Sequence, residues 1–146
     1  MKRLIVGISG ATGAIYGIRL LEVLSKSDVE THLIITEAAE QTILMETNWK
    51  VEDVKSLAKV PYDIKNLGGD ISSGSFLSEG MVIIPCSIKS LSGIANSFNE
   101  NLLIRTADVT LKERRKLVLV FRETPLHLGH IELMLQASRM GTILLP

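Results

Sequence analysis

The chain has 146 residues, about the length of one domain, and its 46% of hydrophobic residues excludes an intrinsically disordered protein. Its 16 Lys and Arg residues balance its 16 Asp and Glu residues, so a nucleic-acid-binding protein is not expected. One cysteine excludes an internal disulfide framework and a multi-cysteine zinc site, and no apolar run approaches the roughly 18 residues that a membrane span needs. We therefore expect a single cytoplasmic domain over residues 1–146.

The first half of the chain alternates short apolar runs with amphipathic segments. The run over residues 4–9 is continuous and of strand length, which is typical of a strand buried on both faces of a parallel sheet. Residues 61–80 are rich in Gly, Ser and Pro, and this composition predicts irregular structure. The regular elements predicted in this half are strands over 4–9 and 29–36, and helices ending at about Lys26, over 37–47 and over 51–58.

The second half of the chain continues the same alternation. Strands that alternate with helices form βαβ units with right-handed crossovers. The predicted fold is therefore α/β: a doubly wound, mainly parallel sheet in a Rossmann-like three-layer sandwich. The elements predicted here are strands over 81–85, 116–121 and 142–145, and helices over 87–97, 101–115 and 126–140.

A glycine-rich turn follows the first predicted strand and precedes a helix. Gly7, Gly10 and Gly13 are each three residues apart, and Thr12 adds a hydroxyl group. Glycines let a backbone approach a phosphate closely, and a helix N-terminus supplies free N–H donors and a partial positive charge. The turn indicates a nucleotide or flavin phosphate site. The alternative is that the glycines serve only the close packing of the helix.

The ends of the other predicted strands also carry polar residues, and ligands of doubly wound sheets bind at this edge. Thr36 either donates to a ligand or caps the helix that follows it. Arg122 offers a planar fork of donors for an anion, and the adjacent Glu123 offers a proton acceptor. Cys86 is expected to be a buried apolar residue rather than a nucleophile. His127 and His130 are expected to serve as caps or in packing, so no metal site is predicted.

Seven segments share motifs with one protein family, in one register over the whole chain. The most specific is the combination of Leu-Lys-Glu-Arg-Arg at 111–115 with Arg-Glu-Thr-Pro at 122–125. The other matches lie at 7–14 (GISGATGA), 45–47 (MET), 71–76 (ISSGSF), 85–87 (PCS) and 107–109 (ADV). Together these motifs resemble those of the flavin prenyltransferases of the UbiX type.

This resemblance implies an enzyme that joins a dimethylallyl group from dimethylallyl phosphate to reduced FMN, without a metal. The prenylated FMN then serves a separate UbiD-type decarboxylase. Members of this family are homo-oligomers, typically dodecamers, whose active sites lie between subunits.

The resemblance also assigns roles to individual positions. Glu46, Lys112, Glu123 and Thr12 match catalytic positions, and Lys112 with Arg105 matches the group that binds the substrate phosphate. The positions matching FMN-binding residues are Gly10, Ala11, Thr12, Thr36, Ser87, Ile88, Lys89, Ser90 and Arg122.

Two other functions stay open on the residues alone. One is a non-catalytic FMN-binding accessory subunit of an aromatic acid decarboxylase. The other is an NAD(P)-dependent Rossmann oxidoreductase, which the glycine turn and Glu37 favour, although no Tyr-x-x-x-Lys pair is present. Family members also continue for about one further helix beyond a Phe-Tyr loop, whereas this sequence ends at Pro146. The expectation is a chain that retains FMN but transfers prenyl groups poorly.

Overall fold

The computed structural model describes residues 2–146. It contains six strands and six α-helices, with one turn of 3-10 helix at Asp70–Ser72. Within these residues, no helix combines the length and the apolar character needed to cross a bilayer. The strands are β1 (Arg3–Ile8), β2 (Glu30–Ile35), β3 (Val60–Tyr62), β4 (Gly80–Cys86), β5 (Lys116–Phe121) and β6 (Ile143–Leu144). The helices are α1 (Ala14–Ser25), α2 (Glu37–Glu46), α3 (Val51–Ser56), α4 (Ile88–Ala95), α5 (Leu102–Lys112) and α6 (Leu128–Arg139).

All six strands form one parallel sheet in the order β3-β2-β1-β4-β5-β6. The chain winds outward from β1 in one direction through β2 and β3, and from β4 in the other through β5 and β6. The order therefore reverses between β1 and β4, which makes this pair the topological switch point of the sheet. The predicted doubly wound α/β fold is confirmed, and the sheet is entirely parallel.

Each face of the sheet is covered by helices, because neighbouring residues of a strand point to opposite faces. Ile5 of β1 packs into a core with residues of α4, α5 and α6. Its neighbours Val6 and Ile8 pack into a second core with residues of α1, α2 and α3. The result is the three-layer arrangement that the continuous apolar runs predicted.

The strand β3 corrects the prediction of irregular structure over residues 61–80. Pro61 lies in the middle of β3 and has no N–H group for a sheet hydrogen bond, but β3 is an edge strand where proline is tolerated. Tyr62 anchors this strand, because its hydroxyl lies 2.8 Å from Nδ1 of His32 on β2. The sheet therefore has six strands and not the five predicted.

Helix α5 ends at Lys112, three residues earlier than predicted. Arg114 adopts a left-handed conformation with φ of 58°. The N–H of Arg115 then bonds the carbonyl of Thr110, and the N–H of Arg114 bonds that of Leu111. These two bonds define a Schellman motif, which turns the chain into β5.

Candidate active site

Ser9, which follows the last residue of β1, links the ends of β1 and β4 at the switch point of the sheet. Its hydroxyl donates to the carbonyl of Pro85 at 2.8 Å and accepts from the N–H of Ser87, also at 2.8 Å. Ser9 is fully buried. It therefore fixes the position of Ser87, the first residue after β4, relative to the end of β1.

A cleft of about 520 Å³ opens at this edge, within the range of roughly 300–1,000 Å³ for small-molecule sites. Three helices begin at the cleft, and each is capped by a side chain: Thr36 caps α2, Ser87 caps α4 and Asn101 caps α5. The cap bonds measure 3.0 Å, 3.2 Å and 3.0 Å. Because the positive ends of three helix dipoles meet here, the cleft favours an anionic group.

The walls of the cleft combine apolar and polar side chains. Ile64, Ile88 and Ile104 supply apolar surface against which a flat ring can pack. The cationic groups at the rim are partnered, since Lys65 lies 3.4 Å from Glu37 and Lys89 lies 3.7 Å from Glu100. The hydroxyl groups and helix N-termini suit a phosphate, and the isoleucines suit an aromatic ring system, so the donor set fits FMN. The residues that line the cleft are Gly10, Thr36, Glu37, Ala38, Ile64, Lys65, Leu67, Ser87, Ile88, Lys89, Ser90, Glu100, Asn101 and Ile104.

Gly10 is required at the cleft for steric reasons. A Cβ atom on Gly10 would lie 2.5 Å from the Cβ of Ala38, closer than such atoms approach in real proteins. Gly13 is required for a different reason, because its φ of 106° lies in the left-handed region. The glycine turn therefore permits close packing, as the alternative interpretation proposed. Gly10 also lines the cleft.

Glu46 reaches across from the end of α2 to the start of α1. Its Oε1 accepts hydrogen bonds from the N–H groups of Gly13 at 3.0 Å and Ala14 at 3.3 Å. The sequence predicted that the free N–H groups of this helix would hold a phosphate. In the structure a carboxylate of the chain itself accepts hydrogen bonds from two of these groups, those of Gly13 and Ala14. The three helix N-termini at the cleft offer further N–H groups to an anion.

Arg122 joins the same corner of the molecule from the end of β5. Its guanidinium carbon lies 5.0 Å from the centre of the Tyr16 ring, within range of a cation–π interaction. Its N–H bonds the carbonyl of Cys86 at 3.2 Å. Thr12 lies in the adjacent turn, and Glu123 follows Arg122; both side chains are exposed. Thr12, Glu46, Arg122 and Glu123 thus lie at one edge of the sheet, beside the cleft.

Lys112 is not part of this group within one chain. The 11-residue helix α5 starts at the cleft and runs about 16 Å back along the sheet. Lys112 therefore lies at the opposite edge, beside the start of β5. There its ammonium group binds the carboxylate of Glu113, and this hydrogen bond lowers the pKa of Glu113.

Arg105 lies near the cleft end of α5, one residue after Ile104, and is half-buried. The sequence placed Arg105, Asp108 and Lys112 on one face of this helix. In the structure Asp108 accepts hydrogen bonds from Ser97 at 2.9 Å and Asn99 at 3.3 Å, which fastens the loop after α4 to α5. Asp108 therefore pairs with the loop after α4 and not with Arg105 or Lys112.

Cys86 and the two histidines have structural roles. Cys86 is buried, as predicted, and burial raises the pKa of its thiol to about 12. His127 caps α6, since its Nδ1 accepts from the N–H of His130 at 3.2 Å. In the part of the chain from Lys2 to Pro146, no three His, Cys, Asp or Glu side chains are grouped as a metal site would require.

Several residues at this edge were not predicted from the sequence. Ser9 could have been recognised, because a serine directly after a buried strand stands where ligands bind. Tyr16 lies one helical turn after Gly13, but nothing in the sequence shows that Arg122 packs on its ring. Asn101 was detectable as a cap, since it precedes an apolar helical segment.

Comparisons with known proteins agree with this geometry. The sequence profile of the family described as Flavoprotein matches residues 1–142. The flavin prenyltransferase UbiX of Thauera aromatica is 60% identical over 144 residues, covering 99% of this chain and 74% of that protein. The flavin prenyltransferase UbiX of Escherichia coli K12 is 58% identical over 147 residues, covering 100% of this chain and 78% of that protein.

Two solved structures have nearly the same fold. The crystal structure of AnUbiX (PadA1) in complex with FMN and dimethylallyl pyrophosphate has a TM-score of 0.98 and 46% identity, covering 99% of this chain and 77% of that chain. A dodecameric FMN-dependent UbiX-like decarboxylase from Escherichia coli O157:H7 has a TM-score of 0.97 and 48% identity, covering 99% of this chain and 79% of that chain. The chain therefore belongs to the flavoprotein family and, within it, to the flavin prenyltransferases of the UbiX type.

Proposed function

We propose that this protein binds FMN in the cleft at the switch point and joins a dimethylallyl group to it. The observation that carries the proposal is the convergence of three capped helix N-termini, those of α2, α4 and α5, on one partly apolar cleft. A phosphate-bearing aromatic ligand satisfies both halves of this environment. The membership of the chain in the UbiX-type family supports the same ligand.

The proposed FMN-binding residues follow the ends of four strands. After β1, Gly10 lines the cleft, and Ala11 and Thr12 follow it in the same turn. Thr36 after β2 caps α2, whose N-terminus faces the phosphate. After β4, Ser87 and Ser90 offer hydroxyl groups, while Ile88 and Lys89 line the cleft between them. Arg122 after β5 contacts the flavin from the side of Tyr16.

The prenyl phosphate needs cations beyond Lys65 and Lys89, because these two lysines at the cleft are already paired with Glu37 and Glu100. Lys112 is 58% exposed at the opposite edge of the sheet, where it can enter the cleft of another copy of the chain. We therefore assign Lys112 of one subunit and Arg105 to the phosphate of dimethylallyl phosphate, in a homo-oligomer. The dodecamer formed by the UbiX-like protein of Escherichia coli O157:H7 supports this arrangement.

The polar groups beside the cleft have separable tasks. Reduced FMN supplies the ring nitrogen and the adjacent ring carbon to which the prenyl group is joined. Cationic groups at the phosphate stabilise the negative charge that develops as the carbon–oxygen bond breaks. The carboxylate of Glu123 accepts the proton released from the ring carbon. Glu46 holds the turn that carries Thr12 in place.

The product is prenylated FMN, which in this proposal passes to a separate decarboxylase of the UbiD type. The proposal includes the cytoplasmic location predicted from the composition.

Two measurements test the proposed function, the first for flavin binding and the second for prenyl transfer. Visible absorbance after addition of FMN and gel filtration is expected to show bound flavin. Mass spectrometry of the flavin after incubation with reduced FMN and dimethylallyl phosphate, with the pyrophosphate in a parallel sample, is expected to show the added prenyl group. A colourless protein would overturn the proposal. Bound flavin that is never prenylated would instead support the non-catalytic accessory subunit.

Mixed oligomers test the origin of Lys112. At FMN concentrations below the Kd of the Arg122→Ala protein, the Lys112→Ala and Arg122→Ala proteins are each expected to have low activity alone. Unfolding and refolding them together creates sites that have both side chains, so part of the activity is expected to return. Lys50→Ala, another exposed lysine, serves as the control and is expected to stay active. If the mixture stayed as inactive as its components, Lys112 would not act in another subunit's site.

A further inference from the structure

Arg115 fastens a distant loop to the end of α5. Its guanidinium donates from Nη1 to the carbonyl of Phe76 and from Nη2 to the carbonyl of Gly74, each at 2.8 Å. These contacts join residues that are 39 and 41 positions apart in the chain. Arg115 thereby fixes the loop over residues 73–76, which joins the 3-10 turn to the segment leading into β4.

The same loop packs directly against Lys112 and Glu113. A Cβ atom on Gly74 would lie 2.9 Å from the carboxylate carbon of Glu113 and 3.2 Å from Nζ of Lys112. The Glu113 carboxylate is only one-third exposed, whereas the Lys112 side chain to which it is bonded is 58% exposed. The loop backbone therefore restricts the ion pair on one side, and a Cβ atom at residue 74 would displace the ends of these two side chains.

The turn after α5 brings both Arg115 and Glu113 into contact with the loop over residues 73–76. Because Arg114 is in the left-handed conformation, the chain reverses its direction between these two residues. The loop itself is stiffened by a hydrogen bond of 2.9 Å between the hydroxyl groups of Ser73 and Ser75. Two segments that are far apart in the sequence thus form one packed unit around Lys112.

We propose that Arg115 is a positioning residue for prenyl transfer: it holds the Gly74 loop against the Lys112–Glu113 pair and so directs the Lys112 ammonium group toward the substrate phosphate. This inference rests on the proposed role of Lys112. A lysine side chain is a flexible four-carbon stem, and its head group acts at a defined point only if neighbouring groups restrict it. The loop and Glu113 supply that restriction.

Gly74→Ala is the first test, because the added methyl group must displace the ion pair. The KM for dimethylallyl phosphate is expected to rise about tenfold, since a displacement of about 1 Å can cost up to about a hundredfold. The Kd for FMN is expected to change much less, because Lys112 is assigned to the phosphate of dimethylallyl phosphate and not to the flavin. Gly68→Ala is the matched control, as a Cβ there meets only Oδ1 of Asn66 at 3.6 Å.

Arg115→Ala and Arg115→Lys form a second pair. The alanine variant is expected to raise the KM for dimethylallyl phosphate as Gly74→Ala does. The lysine variant keeps the charge and has one donor nitrogen where arginine uses two, so it is expected to restore part of that loss. Thermal unfolding followed by circular dichroism shows that each variant is folded before its kinetics are compared.

A titration of Glu113 by NMR gives a readout that does not depend on activity. Loosening the ion pair in Gly74→Ala or Arg115→Ala is expected to raise the pKa of Glu113 toward its ordinary value of 4.5. An unchanged pKa and an unchanged KM in both variants, with Lys112→Ala impaired, would overturn the positioning role and leave the proposed function intact. A normal KM in Lys112→Ala would overturn the assigned role of Lys112 and this inference with it.

Discussion

The carboxylate of Glu46 caps the first turn of α1 by accepting hydrogen bonds from the N–H groups of Gly13 and Ala14, at 3.0 Å and 3.3 Å. The last residue of α2 thus completes a helix that begins 32 positions earlier in the chain. No side chain within α1 or its own cap residue does this, since Gly13 is the cap. The two helices are therefore linked at the corner where Arg122 and Thr12 lie.

Removing this cap is expected to destabilise the protein measurably. Glu46→Ala leaves two N–H groups at the start of α1 without their acceptor, which costs about 1 kcal/mol of unfolding free energy. For a chain of this size the midpoint of thermal unfolding falls by roughly 2–4 °C. Circular dichroism during heating measures the shift. Glu79→Ala, another exposed carboxylate, is the control, and an equal shift in both variants would contradict the capping role.

Ser9→Ala is expected to affect both stability and ligand binding. The substitution leaves the N–H of Ser87 without its acceptor in a partly buried position, at a cost of about 1–3 kcal/mol. Because Ser87 lines the cleft, the Kd for FMN is expected to rise as well. Chemical denaturation and a flavin fluorescence titration measure the two effects. Ser25→Ala removes only a local bond to Glu22 on the surface and is expected to change neither.

Arg122 is expected to contribute to flavin binding through a correctly placed charge. Arg122→Ala should weaken FMN binding about tenfold, a loss of about 1.4 kcal/mol. Arg122→Lys keeps the charge but loses the planar group that stacks on Tyr16, so its affinity should be intermediate. A fluorescence titration ranks the three proteins. If the lysine and alanine variants bound FMN with equal affinity, the positive charge at residue 122 would not contribute to FMN binding, and the prediction would be wrong.

Acid unfolding is expected to depend on Glu30. The hydrogen bond from His32, at 2.7 Å, lowers the pKa of the Glu30 carboxyl below its ordinary value of 4.5, and Arg3 nearby acts in the same direction. A group with a lowered pKa in the folded state stabilises it above the unfolded pKa, and this stabilisation is lost as the pH falls through the folded pKa. The free energy of unfolding should therefore decline below about pH 4.5.

Glu30→Gln tests this dependence, because glutamine does not titrate. Its unfolding free energy, measured by urea denaturation between pH 6 and pH 3, should decline less steeply than that of the unchanged protein. Glu52→Gln is the control, since Glu52 is 85% exposed and has only Lys55 as a partner. Parallel curves for the unchanged protein and Glu30→Gln would contradict the prediction.

Cys86 is expected to be unreactive in the native protein. With a pKa of about 12, about one thiol in 10⁴ is ionised at pH 8, and the thiolate is the reactive form. Ellman's reagent should therefore detect no thiol in the folded protein within minutes and one thiol per chain in denaturant. Rapid reaction of the folded protein would show that the end of β4 opens to solvent.

Much of the fold was predictable because the central strands are buried on both faces. The runs over residues 81–85 and 116–121 contain little else than apolar residues, so their strand character is evident without knowledge of the partners. The edge strand β3 was missed because it has three residues and a central proline, and only its pairing with β2 makes it a strand. Its presence depends on tertiary contacts such as the bond between Tyr62 and His32.

Part of the candidate site was predictable from the order of the strands. Thr36, Ser87 and Arg122 follow strands directly, and parallel strands bring their carboxyl ends to one edge of the sheet. The partners of Glu46 and Arg115 were not predictable, because their contacts link segments more than 30 residues apart. The position of Lys112 does follow from chain direction, since a helix that leads into a parallel strand ends at the opposite edge.

Because Cys86 is buried, the native chain should not react with thiol-specific labels. A cysteine introduced by Lys112→Cys or Glu123→Cys would consequently be the single attachment point for a nitroxide or a fluorophore, with no need to replace the native residue first. Electron paramagnetic resonance on singly labelled protein would then report how far apart equivalent points lie in neighbouring copies. The geometry of the assembly thereby becomes measurable in solution.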